Sequence, residues 1–94
     1  MIALTSEVIK LSPNNADAYI NRSSAYTNTG KLNEALSDVD NGIRLNPNDP
    51  VVYNNRGYIY ELKKDKPQAI LQYEIACSLK SELGCSNLKR LKQN

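Results

Sequence analysis

Histidine, phenylalanine and tryptophan are absent from this 94-residue sequence, which has only two cysteines and four glycines. Each gap removes a class of function. Without histidine the chain lacks the commonest general base and metal ligand, and two cysteines alone cannot complete a zinc site. The glycines stand singly at 30, 42, 57 and 84, so there is no glycine-rich loop to cradle a phosphate. No run approaches the roughly 20 apolar residues that a membrane span requires. The opening MIALTSEVIKLSPNN has no basic start before its apolar residues and is not read as a signal peptide. A net charge of +2 is too weak for a phosphate-binding surface, which shows as a dense basic stripe. No catalytic residue, metal, cofactor, nucleic-acid partner or membrane insertion is therefore expected.

What is present is a repeat. YINRSSAY (19–26) returns as YNNRGYIY (53–60), and Ala16–Asp49 laid over Pro50–Leu83 gives six identities. They are Tyr19/Tyr53, Asn21/Asn55, Arg22/Arg56, Tyr26/Tyr60, Ala35/Ala69 and Leu45/Leu79. Ser23/Gly57 and Gly42/Ala76 are small in both copies. The tyrosines of each copy are seven apart with the small residue between them, which is one face of a helix. A second helix follows, presenting Ala, then a bulky residue (Val39, Tyr73), then a small one. Rings facing small residues let two helix axes approach closely, so each copy reads as an antiparallel helical hairpin.

Caps divide the chain accordingly. Asn15 and Asp49 stand as N-caps, the latter before Pro50 at the first helical position. Asp65-Lys66-Pro67-Gln68 reads as a capping box. Gly30 is placed to end a helix in the left-handed conformation, while Lys64 holds the equivalent place without glycine's freedom. The expectation is an all-α protein with helices near 2–11, 16–29, 32–45, 50–63, 66–80 and 84–92 and no strand.

These residues resemble the tetratricopeptide repeat family: a 34-residue period, Tyr19 and Tyr53 at the aromatic position, Ser23/Gly57, Tyr26/Tyr60, Ala35/Ala69 and Pro47 closing a repeat. Departures are Arg22 and Arg56 for leucine, Lys64 for glycine and Ser81 for proline. The resemblance implies one domain stacked as a right-handed superhelix. Residues 1–15 would be half a repeat, 16–49 and 50–83 full repeats, and 84–94 a capping helix. It also implies a concave face, lined by the first helix of each repeat, that binds segments of other proteins. The alternative is a structural spacer or oligomerisation segment of a longer repeat protein. Because residue 1 falls within a repeat, Met1 is expected to begin a fragment, with Ile2, Leu4, Val8 and Ile9 partly uncovered and a source of weak self-association.

Helical geometry separates the repeated Asn-Arg pair from the tyrosines. At about 100° per residue, Asn21 and Asn55 lie opposite the packing face. With them fall Ile20 and Ser24 in the first copy, and Val51, Asn54, Tyr58 and Leu62 in the second. Asn21 and Asn55 are expected to form a ladder gripping a peptide backbone, since a side-chain amide both donates and accepts. Ile20, Val51, Tyr58 and Leu62 add apolar contact, Ser24, Asn54 and Glu61 lie at the margins, and Lys89 favours a ligand carboxylate. The competing reading is that the two asparagines bridge adjacent first helices. Some tetratricopeptide proteins hold chaperone tails by a two-carboxylate clamp, but Ile20 and Ser24 stand where that clamp needs Lys and Asn. Arg22 and Arg56 are expected to bury their stems and reach acids on neighbouring helices.

Asp38 and Asp40 in ALSDVDNG lack the distal glutamate of a calcium loop, and Asp38 with Glu34 reads as a solvated helix face. The basic tail LKRLKQN reads as a solvated last turn, with a nucleic-acid contact through Lys80, Lys89, Arg90 and Lys92 as the weaker alternative. Cys77 and Cys85 flank a helix corner that can bring their Cβ atoms to disulfide separation. Residues 76–91 also resemble the junction of cysteine-rich Sel-like repeats, where such pairs are bridged. A bridge, which is favoured, implies oxidising surroundings, periplasmic or secreted, and would clamp the last helix beside Leu88, Leu91 and Leu83. Two buried free thiols would imply a reducing, cytoplasmic setting.

Overall fold

The computed structural model describes residues 2–93; Met1, the expected start of a fragment, and Asn94 lie outside the described residues. Six α-helices and no strand occur among the described residues: α1 (Ile2–Leu11), α2 (Ala16–Asn28), α3 (Leu32–Leu45), α4 (Pro50–Leu62), α5 (Lys66–Ser78) and α6 (Glu82–Lys92). The fold is an all-α helical repeat. The chain divides between Pro47 and Asn48 into two compact units.

Helix starts follow local chemistry. The side-chain oxygen of Asn15 accepts the Ala18 N–H at 3.2 Å, Asp49 accepts that of Val51 at 2.9 Å and Asp65 that of Gln68 at 3.2 Å, each satisfying an orphan donor. Ser81 accepts from Gly84 at 2.9 Å, which starts α6 two residues earlier than the sequence pattern suggests. Three corners end alike. Gly30, Lys64 and Lys80 all have positive φ, of 80°, 65° and 76°. At each, the next N–H bonds a carbonyl five residues back: Lys31 to Tyr26, Asp65 to Tyr60 and Ser81 to Ala76. Lys64 thus adopts the left-handed conformation that its lack of glycine's freedom argued against. The strain of about 1–2 kcal/mol is offset by this closing bond and the hairpin that enforces it.

In the first unit, α2 packs on α3 and α1 packs on α2. Ala18, Tyr19 and Ser23 are buried against a face carrying Ala35, Val39 and Gly42. The Ser23 hydroxyl donates to the Ala35 carbonyl at 3.0 Å, so the small residue also closes a polar link. Arg22 donates to both oxygens of Asp38 at 2.7 Å and to Ser6 at 3.0 Å, joining all three helices. Asp38 is 2% exposed, which corrects the reading of a solvated face. Its own helix period could not reveal the arginine 16 positions away.

In the second unit, α4 packs on α5, and α6 covers α5 while touching α4. The fully buried Tyr73 ring fills the space left by Gly57, where a Cβ would come within 2.7 Å of Tyr73 Cε1. Ala69, Tyr73 and Leu91 form the buried cluster, with Tyr60, Ile70 and Leu88 against it. Arg56 donates to the side-chain oxygen of Gln72 at 2.9 Å, again across 16 positions. The tail is not wholly solvated: Leu91 is buried and Arg90 is ion-paired. Leu83, expected to help hold α6, is 61% exposed.

Candidate functional site

The faces of α2 and α4 turned away from the hairpin contacts carry the candidate residues. On α2, Asn21 and Ser24 are exposed. Asn21 has no side-chain hydrogen bond among the described residues, whereas Ser24 donates to the Ile20 carbonyl at 3.3 Å. Ser24 also lines an open hollow of about 380 Å³ with Ile2, Ala25, Asn28 and Thr29, all within the first unit. On α1, Leu4, Val8 and Leu11 are exposed.

On α4, Val51, Tyr58 and Leu62 are exposed at 56%, 51% and 39% and form an apolar strip along one face of the helix. Asn55 lies between Val51 and Tyr58, half-buried, with its amide unbonded among the described residues. The asparagine that bridges two first helices is a different one: Asn54 accepts from Asn87 of α6 at 3.0 Å. Asn54 is thus a structural tie rather than a marginal contact. Lys89 is exposed on α6 beside Arg90.

Glu61, expected at the margin, is already engaged. It accepts the Tyr73 hydroxyl at 2.6 Å and both terminal nitrogens of Arg90, at 2.6 and 3.1 Å. These bonds, Arg90 first, hold the Glu61 carboxyl below the usual carboxylate range against partial burial, while burial and Glu61 raise the Tyr73 phenol. The ion pair connecting α4 to α6 therefore stabilises the folded state fully above the ordinary carboxylate range, and this contribution is lost as pH falls through the lowered value. Acid titration of unfolding stability should show this loss in the native chain, and Glu61→Gln should flatten it. Equal acid sensitivity in the two proteins would sink the assignment.

The sulfurs of Cys77 at the end of α5 and Cys85 in the first turn of α6 are bonded, with Cα atoms 4.6 Å apart. The bridge expected at this junction is thus part of the structure. No helix among the described residues is long and apolar enough to cross a membrane.

Comparison with known proteins gives consistent likenesses. Hsp70-Hsp90 organizing protein 3 of Arabidopsis thaliana is 38% identical over 69 residues, covering 73% of this chain and 12% of that protein. The Hsp70-Hsp90 organizing protein of Triticum aestivum is 30% identical over 69 residues, with the same 73% and 12% coverage. This chain therefore spans 12% of the length of these curated relatives. Among solved structures, the Arabidopsis OM64 TPR domain matches with a TM-score of 0.91 at 23% identity, covering 98% of this chain and 78% of that one. The first TPR of Spaghetti (RPAP3), bound to HSP90 peptide SRMEEVD, matches at 0.90 and 24% identity, covering 98% and 75%. The tetratricopeptide repeat profile itself matches residues 4–37 and 40–72. A chain of helical hairpins on a 34-residue period, matched by that profile over most of its length, belongs to the tetratricopeptide repeat family.

Proposed function

We propose that this protein is a non-enzymatic binding module that takes an extended segment of another protein on the exposed faces of its first-position helices, with repeats at 16–49 and 50–83. The observation that carries this reading is Asn55: an amide without a partner among the described residues, set in the exposed strip of Val51, Tyr58 and Leu62. A polar group placed to fix a backbone among apolar surfaces that supply contact is the arrangement of a peptide-binding face. Asn21 and Ser24 offer the corresponding contacts on α2. The relatives supply a direction: an RPAP3 repeat domain holds an HSP90 peptide. From Asn48 onward, eight basic side chains stand against five acidic ones, and Lys89 is exposed on α6, so an acidic residue or terminal carboxylate is the preferred ligand group. The two-carboxylate clamp is not carried over, because Ile20 and Ser24 hold its places. The likeness of residues 76–91 to cysteine-rich Sel-like repeats is supported by the paired cysteines alone and would place the chain in oxidising surroundings.

An array of peptides with free carboxyl termini, SRMEEVD among them, tests the reading. Asn21→Ala with Asn55→Ala should weaken a captured peptide by about 5- to 150-fold, at roughly 0.5–1.5 kcal/mol per lost hydrogen bond, while leaving the thermal midpoint nearly unchanged. A double variant that melts several degrees lower and binds as before would make the asparagines structural. The alternative, a spacer or oligomerisation segment, rests on the exposed Leu4, Val8 and Leu11 of α1; it requires that the array capture nothing and that light scattering detect self-association.

A further inference from the structure

The disulfide joins α6 to the end of α5, and α6 in turn ties to α4, which carries part of the proposed peptide-binding face, through Asn87–Asn54 and Arg90–Glu61. We infer that Cys77–Cys85 is a redox switch: its reduction by a dithiol releases α6 and disassembles the α4–α6 side of the binding face. The consequence for binding rests on the function proposed above; the release of α6 does not.

Three features of α6 point the same way. It has 11 residues, a length at which an isolated helix is marginal in water. Of α6 only Gly84 and Leu91 are buried, with Leu88 packed against the same cluster, so its apolar anchorage is confined to the second half of the helix. Its first turn meets α5 through Gly84, where a Cβ would come within 2.7 Å of Ala76 Cβ and 3.1 Å of the Cys77 nitrogen. That approach is close but has no side chain to interlock, and the covalent bond from Cys85 to Cys77 is what fastens the turn. Further along, Asn87 bonds Asn54 in a partly buried link, and Arg90 bonds Glu61 at the surface. Ties of this kind persist only while the helix is held in register.

Both cysteines are half-buried, so a reductant can reach the bridge. A thiolate of the dithiol attacks one sulfur and displaces the other cysteine as a thiolate. The dithiol's second sulfur then displaces the first cysteine and closes its own disulfide. Two electrons pass to the protein, two protons settle on Cys77 and Cys85, and the dithiol leaves oxidised.

Amide hydrogen exchange on the whole chain, oxidised and then reduced with dithiothreitol, tests the switch. Amides from Asn87 to Lys92 should exchange at least about tenfold faster after reduction, with α4 and α5 within about twofold of their oxidised rates. Cys77→Ala with Cys85→Ala should match the reduced protein and ignore dithiothreitol. Unchanged α6 exchange on reduction, or loss of protection throughout α4 and α5, overturns the inference. Labelled SRMEEVD gives the functional arm: about tenfold weaker binding after reduction is expected, and equal binding in both states removes the gate. If SRMEEVD binds in neither state, that counts against the proposed preference for acidic peptides, and exchange alone decides the switch.

Discussion

Tyr73→Ala should destabilise the second unit by about 3–5 kcal/mol, the range for deleting a fully buried aromatic side chain whose space cannot collapse. The ring is completely buried and faces a glycine on α4, which has no side chain to fill the cavity from that helix. Its hydroxyl also donates to Glu61, which holds Arg90, so truncation loosens the ion pair to α6. Tyr73→Phe keeps the ring and loses only a hydrogen bond to a carboxylate, about 1.5–3 kcal/mol. Gly57→Val approaches the same contact from α4: its Cβ would press on the ring at 2.7 Å, an overpacking expected to cost about 1–3 kcal/mol. Urea unfolding followed by circular dichroism measures all three, and a Tyr73→Ala protein no less stable than Tyr73→Phe would refute the ring-on-glycine account.

Arg22→Ala should cost about 3–5 kcal/mol, because it strands the Asp38 carboxylate with 3% side-chain exposure. Arg56→Ala makes a controlled comparison. Each arginine lies 5.7 Å from a tyrosine ring centroid and each reaches a partner 16 positions on. Arg56 bonds the neutral Gln72, and losing that bond leaves a buried polar group rather than a buried charge, at about 1–3 kcal/mol. Replacing Arg22 and Asp38 together by leucine should recover much of the first loss, since a buried pair exchanged for apolar residues is often near neutral. Equal costs for the two single arginine substitutions would show that the charge on Asp38 is not what Arg22 serves.

What could be read in advance followed the range of the interaction. Caps at Asn15, Asp49 and Asp65, the turn at Gly30 and the hairpin faces depend on residues within about four positions or on the 34-residue period, and these were legible. The Cys77–Cys85 junction was legible for the same reason, being one short corner. Asp38 was not, because within ALSDVDNG it looks like any exposed acid, and only docking of α2 brings Arg22 to it. Glu61 with Arg90 and Asn54 with Asn87 are 29 and 33 positions apart and require the register of α6 on α4. That register is set by the Cys77–Cys85 bond together with Gly84 and Leu91. Lys64 and Lys80 at positive φ carry no residue signal, since the corner rather than the side chain dictates them.

Amide chemical-shift mapping with the tightest peptide from the array tests the proposed binding function most directly. The account predicts that the largest shifts fall at Asn55, Tyr58, Leu62 and Lys89 in the second unit and at Asn21 and Ser24 in the first, with Glu34, Leu71 and Glu74 on the second-position helices unmoved. Shifts centred on α3 and α5 instead, or scattered evenly over the chain at saturating peptide, would contradict it.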